Sequence, residues 1–277
     1  MKIDLITDSV KLNNGVQMPW LGFGTFQSPP GQVAEDSVLW ALQAGYRHID
    51  TAALYKNEAD VGRAIQKSGI PRDKIFVTTK VWNADMRSGK IAEAMDASLK
   101  ELQMDHVDLY LLHWPVPGKF VESWKKMESL YKQGKARAIG ISNFLVHHVE
   151  QVLAGASIIP AVNQVEWHPL VRQQKLVDLC HSKGIAFEAW APLMQGKVAK
   201  VPELIEIGKH HRKTPAQIAL RWGLQHQVVM IPKSVHKERI IENAGLFDFQ
   251  LSADEMKRID ALDQNKRLGA DPDNFNF

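Results

Sequence analysis

Short apolar runs rich in β-branched and aromatic residues alternate with amphipathic helical stretches along almost the whole chain. The strand candidates fall at 20–24, 47–50, 75–80, 107–113, 136–142, 161–166, 185–190 and 228–231. Helices are predicted between them, near 32–44, 57–68, 89–103, 120–133, 145–154, 172–183, 202–211 with 215–225, and 237–244. Nearly continuous apolar strands with helices between them argue for a parallel sheet covered on its outer face. Eight such units in succession predict closure into a (β/α)8 barrel, the TIM-barrel architecture, with a doubly wound open sheet as the competitor. Two pieces lie outside the alternation. Residues 10–18 read as a hairpin turning at Asn14-Gly15, expected to cap the bottom of the barrel. Ser252-Ala-Asp-Glu255 is a capping box that starts a C-terminal extra helix to about Leu262, before a polar tail.

The length of 277 residues fits one barrel domain spanning 1–277, since such barrels fill about 250 residues as one unit. The one cysteine, Cys180, rules out an intramolecular disulfide and fits a reducing compartment. Acids stand in residues 1–8 where an apolar signal core would be needed, and no run approaches a membrane span of about 18 residues. A cytoplasmic protein without a membrane partner is expected. Net charge is +3, with bases and acids interspersed, and Lys125-Lys126 and Lys135 with Arg137 are the nearest thing to clusters. Nucleic-acid binding would need a denser basic stripe with aromatics among it.

Chemistry gathers at strand ends. Strand two ends in Asp50, with Tyr55 on the loop behind it; strand three ends in Lys80 and strand four in His113. A barrel builds its active site from the C-terminal ends of its strands, so these four groups fall on one rim. Each has a bland alternative: a helix cap, a surface lysine, a core histidine, a packing tyrosine. Their coincidence on neighbouring strand ends favours function. A phenol beside an ammonium, which a carboxylate holds in place, is a device for delivering a proton, and that points to carbonyl reduction. His147-His148 and His210-His211 are adjacent residues, which do not share a helix face. They read as surface, and no metal is expected.

Several segments resemble the signatures of the aldo-keto reductases, from one end of the chain to the other. They are residues 45–58, Val81-Trp82, Leu112-His113-Trp114-Pro115, Gly140-Ile-Ser142-Asn143-Phe144, Asn163-Gln164 and Ile231-Pro-Lys233 through Asn243. In style the chain is similar to short microbial and protozoan members: glyoxal and methylglyoxal reductases, 2,5-diketo-gluconate reductases and prostaglandin F synthases. The resemblance implies NADPH-dependent reduction of small aldehydes, α-dicarbonyls or keto-sugars by a monomer. Asp50, Tyr55, Lys80 and His113 match the catalytic tetrad, with Tyr55 as general acid, Lys80 lowering its pKa and His113 orienting the carbonyl.

No complete glycine fingerprint for a dinucleotide is present, because Gly22-Phe-Gly24 lacks a third glycine. The resemblance supplies the cofactor site instead. Gly24 and Thr25 belong to it, Ser142, Asn143 and Gln164 match contacts to the nicotinamide carboxamide, and Trp190 matches the aromatic that stacks on the ring. Lys233, Ser234 and Arg239 match the clamp on the 2′-phosphate and Glu242 and Asn243 the adenine contacts, and Leu193 and Val235 belong to the same cofactor site. Phe26, Trp82 and Trp114, with His113, are expected to wall the substrate pocket. Ala191 stands where many relatives carry serine. The chain stops about fifteen residues past the last helix, so an open pocket is expected.

Two readings from other classes compete. A barrel glycosidase would need facing carboxylates, for which Glu166 and Glu188 are the candidates. A redox-sensing or scaffold subunit on the same barrel is the other; turnover above about 1 per second would favour an enzyme.

Overall fold

The computed structural model describes residues 3–277. A two-stranded antiparallel hairpin, β1 (Ser9–Lys11) and β2 (Gln17–Pro19), precedes the main sheet. Asn13 and Asn14 donate from their side chains to the carbonyls of Pro160 and Arg137, at the N-terminal ends of later strands. The hairpin therefore closes the bottom of the molecule, as expected.

Eight parallel strands follow in sequence order: β3 (Phe23–Gly24), β4 (His48–Asp50), β5 (Phe76–Val81), β6 (Val107–Leu112), β7 (Ala136–Ser142), β8 (Val162–Glu166), β9 (Ala186–Trp190) and β10 (Val229–Met230). Each pairs with its chain neighbour. The sheet closes where the first strand meets the last: Gly22 N donates to Met230 O, Met230 N to Trp20 O and Gly24 N to Pro232 O. A Cβ on Gly22 would stand 2.5 Å from His48 Nδ1, so only glycine lets the seam approach the interior here. Strands β4, β5, β6 and β8 are buried at every residue. Of these, β6 reads as the largely apolar run expected of a strand covered on both faces, whereas β4, β5 and β8 carry buried polar residues, among them His48, Thr78, Asn163 and Glu166.

The outer layer comprises α1 (Gln32–Gln43), α2 (Glu58–Ser68), α3 (Asn83–Ser88), α4 (Ile91–Leu102), α5 (Phe120–Lys132), α6 (Val146–Gly155), α7 (Gln174–Ser182), α8 (Pro202–His211), α9 (Pro215–Gln225), α10 (Lys237–Ala244) and α11 (Ala253–Asp260). The capping box at Ser252 and Glu255 starts α11, and Thr214 with Gln217 caps α9 in the same way. One helix was not expected. The stretch 89–103 is preceded by α3, six residues ending at Gly89 in the left-handed region, too short for a periodic signal. No helix among the described residues is long and apolar enough to cross a membrane.

Candidate active site

A cleft of about 990 Å³ opens at the C-terminal ends of the strands. At its floor β4 delivers Asp50 and β5 delivers Lys80, both essentially inaccessible to solvent. Lys80 Nζ donates to Asp50 Oδ1 at 2.6 Å and to the Thr51 carbonyl at 2.9 Å. It lies 3.4 Å from the Tyr55 hydroxyl. Tyr55 is held by a short 3-10 turn (Ala53–Tyr55) directly after β4, which brings the phenol back over the lysine. His113, one residue past β6, meets Tyr55 edge-on with ring centroids 5.7 Å apart.

The electrostatics differ from the expectation in one respect. Burial pushes the Tyr55 phenol up, and the Lys80 ammonium only opposes this. The lysine therefore moderates the phenol's acidity without bringing it below the ordinary range. Burial alone would pull the Lys80 ammonium down, but Asp50 and Tyr55 outweigh it and the group stands above its usual value. His113 is held well below the usual imidazole range, first by burial and then by the Lys80 charge.

A network extends from the floor. Asn143 Nδ2 donates to the His113 carbonyl at 2.9 Å, and its Oδ1 accepts from Trp190 Nε1 at 2.8 Å. Ser142 Oγ donates to the Gln164 carbonyl at 2.9 Å, and Gln164 Nε2 donates to Asp50 Oδ2 at 2.7 Å. Asn143 adopts φ +67°, a left-handed conformation that asparagine tolerates better than most residues. Ala191, directly after Trp190, is also left-handed at φ +51° and lines the cleft.

Of the residues singled out in the sequence, Gly24, Phe26, Asp50, Tyr55, Trp82, His113, Trp114, Ser142, Asn143, Gln164, Trp190 and Leu193 line the cleft, and so do Lys233, Ser234, Val235, Arg239, Glu242 and Asn243. Lys80 lies just beneath. Thr25 is not on the wall: it is fully buried, and its hydroxyl donates to the Asp50 carbonyl. Lys233 Nζ donates to the Gln27 carbonyl at 3.0 Å, whereas Arg239 on α10 is exposed. The candidate glycosidase acids do not reach the wall. Glu188 is buried behind Gln164, and Glu166 accepts backbone N–H bonds from Leu268 and Gly269.

That last contact overturns the expectation of an open pocket. Glu166 pins the segment after α11 across the barrel mouth, with Gly269 so close to Trp190 that a Cβ would stand 2.4 Å from the indole. Further along, Phe277 stacks on Trp82 with ring centroids 5.7 Å apart and planes at 8°. Phe275 packs on Trp114 at 5.1 Å, and Arg87 donates to the Phe277 carbonyl at 2.7 Å. The tail has no periodic signal, so only its two phenylalanines hinted at this role. The segment 194–200, irregular at Gln195 and Gly196, also lines the cleft and was not anticipated.

The adjacent histidines do not point apart. His210 and His211 both bond Glu255 Oε1, at 3.2 and 2.8 Å, because they sit at the C-terminal end of α8 against the first turn of α11. His147 and His148 likewise both approach Asp273. Each trio brings three ligand-type atoms within 4.8 Å of one another, so among the described residues these are the two groups with the donors to hold a metal.

Comparison with known proteins identifies the family. The model of the "Aldo/keto reductase family" matches residues 20–264. "Glyoxal reductase" of Bacillus subtilis (strain 168) is 51% identical over 272 residues, covering 98% of this chain and 99% of the relative. "9,11-endoperoxide prostaglandin H2 reductase" of Trypanosoma cruzi (strain CL Brener) is 48% identical, covering 96% and 95%. Among solved structures, MGS-M4, an aldo-keto reductase from a Medee basin deep-sea metagenome library, superposes with a TM-score of 0.94 at 44% identity, covering 97% of this chain and 100% of that one. With a matched family model over most of its length and relatives near half identical end to end, the chain belongs to the aldo/keto reductase family, oxidoreductases that act on carbonyl compounds with a nicotinamide cofactor.

Proposed function

We propose that the chain reduces small aldehydes and α-dicarbonyls with NADPH, Tyr55 serving as the general acid. The observation that carries this is the Tyr55 hydroxyl at 3.4 Å from Lys80 Nζ, which is itself 2.6 Å from Asp50. Bound along the cleft between Trp190 and Arg239, NADPH would supply a hydride for the carbonyl carbon. Everything else falls to the protein. As the carbonyl oxygen gains negative charge, the phenol of Tyr55 gives it a proton and the Lys80 ammonium stabilises the phenolate left behind. Asp50 holds Lys80 and balances a cation that would otherwise be costly to bury.

His113 acts as a neutral donor, since both burial and Lys80 disfavour its protonation. It positions the carbonyl by a hydrogen bond. Because its pKa lies well below the ordinary value, His113 stays neutral as pH falls through 6.5. The reduction rate should therefore show no inflection between about pH 7.5 and 5.5 with a substrate whose chemical step limits turnover. A step near pH 6.5 that disappears in His113→Gln would show that the imidazole titrates normally.

The residues present suit NADPH. Arg239 is exposed and forms no ion pair among the described residues, which leaves its guanidinium available for a phosphate. The Gln164 amide has its nitrogen on two acids, which leaves its oxygen to accept from a carboxamide. The Trp82, Trp114, Phe275 and Phe277 rings favour a compact, partly apolar substrate.

The named activities of the B. subtilis and T. cruzi relatives define the test panel. NADPH consumption should be measured with glyoxal, methylglyoxal, an aromatic aldehyde and a prostaglandin endoperoxide. Turnover with the dicarbonyls is expected. Folded protein that consumes NADPH with none of them would sink the proposal.

A further inference from the structure

A second acid lies under the Asp50–Lys80 pair with no place in the chemistry just described. Glu188 is in the middle of β9, in register with Gln164 of β8 and Val229 of β10, and is fully buried. Its Oε2 accepts from Gln164 Nε2 at 2.9 Å. The same nitrogen donates to Asp50 Oδ2 at 2.7 Å. One amide nitrogen thus spends both its hydrogens on two acids. Glu188 Oε1 has no hydrogen-bond partner among the described residues.

The groups facing Glu188 decide its charge. From β4 comes His48, with Nε2 at 3.7 Å and already engaged with Thr78 Oγ1 at 3.1 Å. Burial, and then the Lys80 charge, hold that imidazole down to about 3, so it is neutral and no counter-ion. Asp50, also on β4, is a second anion. Lys80 of β5 is committed to Asp50, the Thr51 carbonyl and Tyr55. Val229 of β10 offers nothing ionisable. Among the described residues one cation faces two carboxyls, and the one in direct contact with it is Asp50. A carboxylate buried without a cation of its own is strongly disfavoured against the acid, so the proton of the pair belongs on Glu188.

We propose that Glu188 is a positioning residue of the reductase, held as the neutral acid, which locks the Gln164 amide with its nitrogen on Asp50 and its oxygen toward the cofactor, while leaving the Asp50–Lys80 charges balanced. The cofactor part of this rests on the NADPH reading above. Turning the Gln164 amide over would set its oxygen against the Asp50 carboxylate, so Asp50 selects the orientation and Glu188 Oε2 holds it by accepting the second amide hydrogen.

The lock has a pH limit. Burial, then the Asp50 carboxylate, push the Glu188 carboxyl up to about 8, against the pull of Gln164 and Lys80. Below that pH it is neutral; above it a second negative charge appears beside Asp50, Lys80 and Tyr55. That charge raises the Tyr55 phenol further and makes it a weaker acid. Reduction should therefore fall as pH rises through about 8, before the phenol itself titrates.

Glu188→Gln keeps the acceptor for Gln164 and removes the proton. At pH 7 its kcat and its NADPH affinity should stay within about threefold of wild type, while the alkaline fall in kcat disappears. Glu188→Leu should lose the same fall and also bind NADPH about tenfold more weakly at pH 7, since the amide is released. Infrared difference spectra of the apoprotein between pH 7 and 9.5 should show a protonated-carboxyl stretch that vanishes in alkali and is missing in Glu188→Gln. That signal does not depend on turnover, so it separates failure here from failure of the NADPH reading. An identical alkaline limb in wild type and Glu188→Gln, or no carboxyl signal in wild type, would overturn the proposal even if Glu188→Leu fails to fold.

Discussion

Tyr55→Phe should lower kcat for carbonyl reduction by about 10²–10⁴-fold, the usual contribution of a positioned general acid, and leave NADPH binding almost unchanged. Only the hydroxyl is removed. The ring keeps its edge contact with His113 and its tilted packing on Phe26 at 5.1 Å. Lys80 retains Asp50 and the Thr51 carbonyl as partners, so no buried charge is left uncompensated and the fold should hold. The measurement is single-turnover NADPH oxidation with a fast aldehyde, together with fluorescence titration of NADPH. Retention of more than about a tenth of the wild-type rate would assign the proton to another donor, with His113 the next candidate.

The second large effect concerns cofactor choice. Losing a charge-assisted hydrogen bond to phosphate costs roughly 1.5–3 kcal/mol. Arg239→Ala should thus weaken NADPH by about one to two orders of magnitude, with NADH affected little. Arg239 is the cleaner probe of the two cations. Lys233 Nζ also ties down the Gln27 carbonyl, and Gln27 is itself left-handed at φ +58°. Lys233→Met would therefore loosen the loop after β3 as well as remove a charge, and should cost NADH some affinity too. Titrating both nucleotides against both variants separates these contributions. Equal losses for NADPH and NADH in Arg239→Ala would mean that Arg239 supports the shared part of the cofactor site.

The network around Asn143 connects these predictions. One side chain ties the backbone of His113 and the indole of Trp190 at once, so two rings that line the cleft are tied to a single amide. This couples the two halves of the cleft more tightly than separate contact residues would.

The barrel and the residues on its floor were legible from the chain alone. Short β-rich runs alternating with helical stretches made all eight strands legible, even where buried polar residues such as Thr78, Asn163 and Glu166 interrupt them, and the chain order of eight βα units leaves few closed alternatives. The candidate site at the floor was legible from position alone. Asp50, Lys80 and His113 sit at or next to strand ends, and strand ends converge on one rim whatever the details of packing.

What depends on contacts between distant segments was decided only by the tertiary structure. The segment 264–277 has no period to read, yet Glu166, about a hundred residues earlier, draws it over Trp190. The adjacent histidines converge because α8 ends against α11, a crossing that helical spacing within α8 does not encode. The rise in the Tyr55 pKa, opposite to the expectation from Lys80 alone, follows from burial, which a neighbour list along the chain cannot supply. Glu188 reads in the sequence as a stray acid in a strand, or as half of a glycosidase pair. Its position behind Gln164, with one cation already claimed by Asp50, exists only once β4, β5, β8 and β9 are wrapped around the same interior.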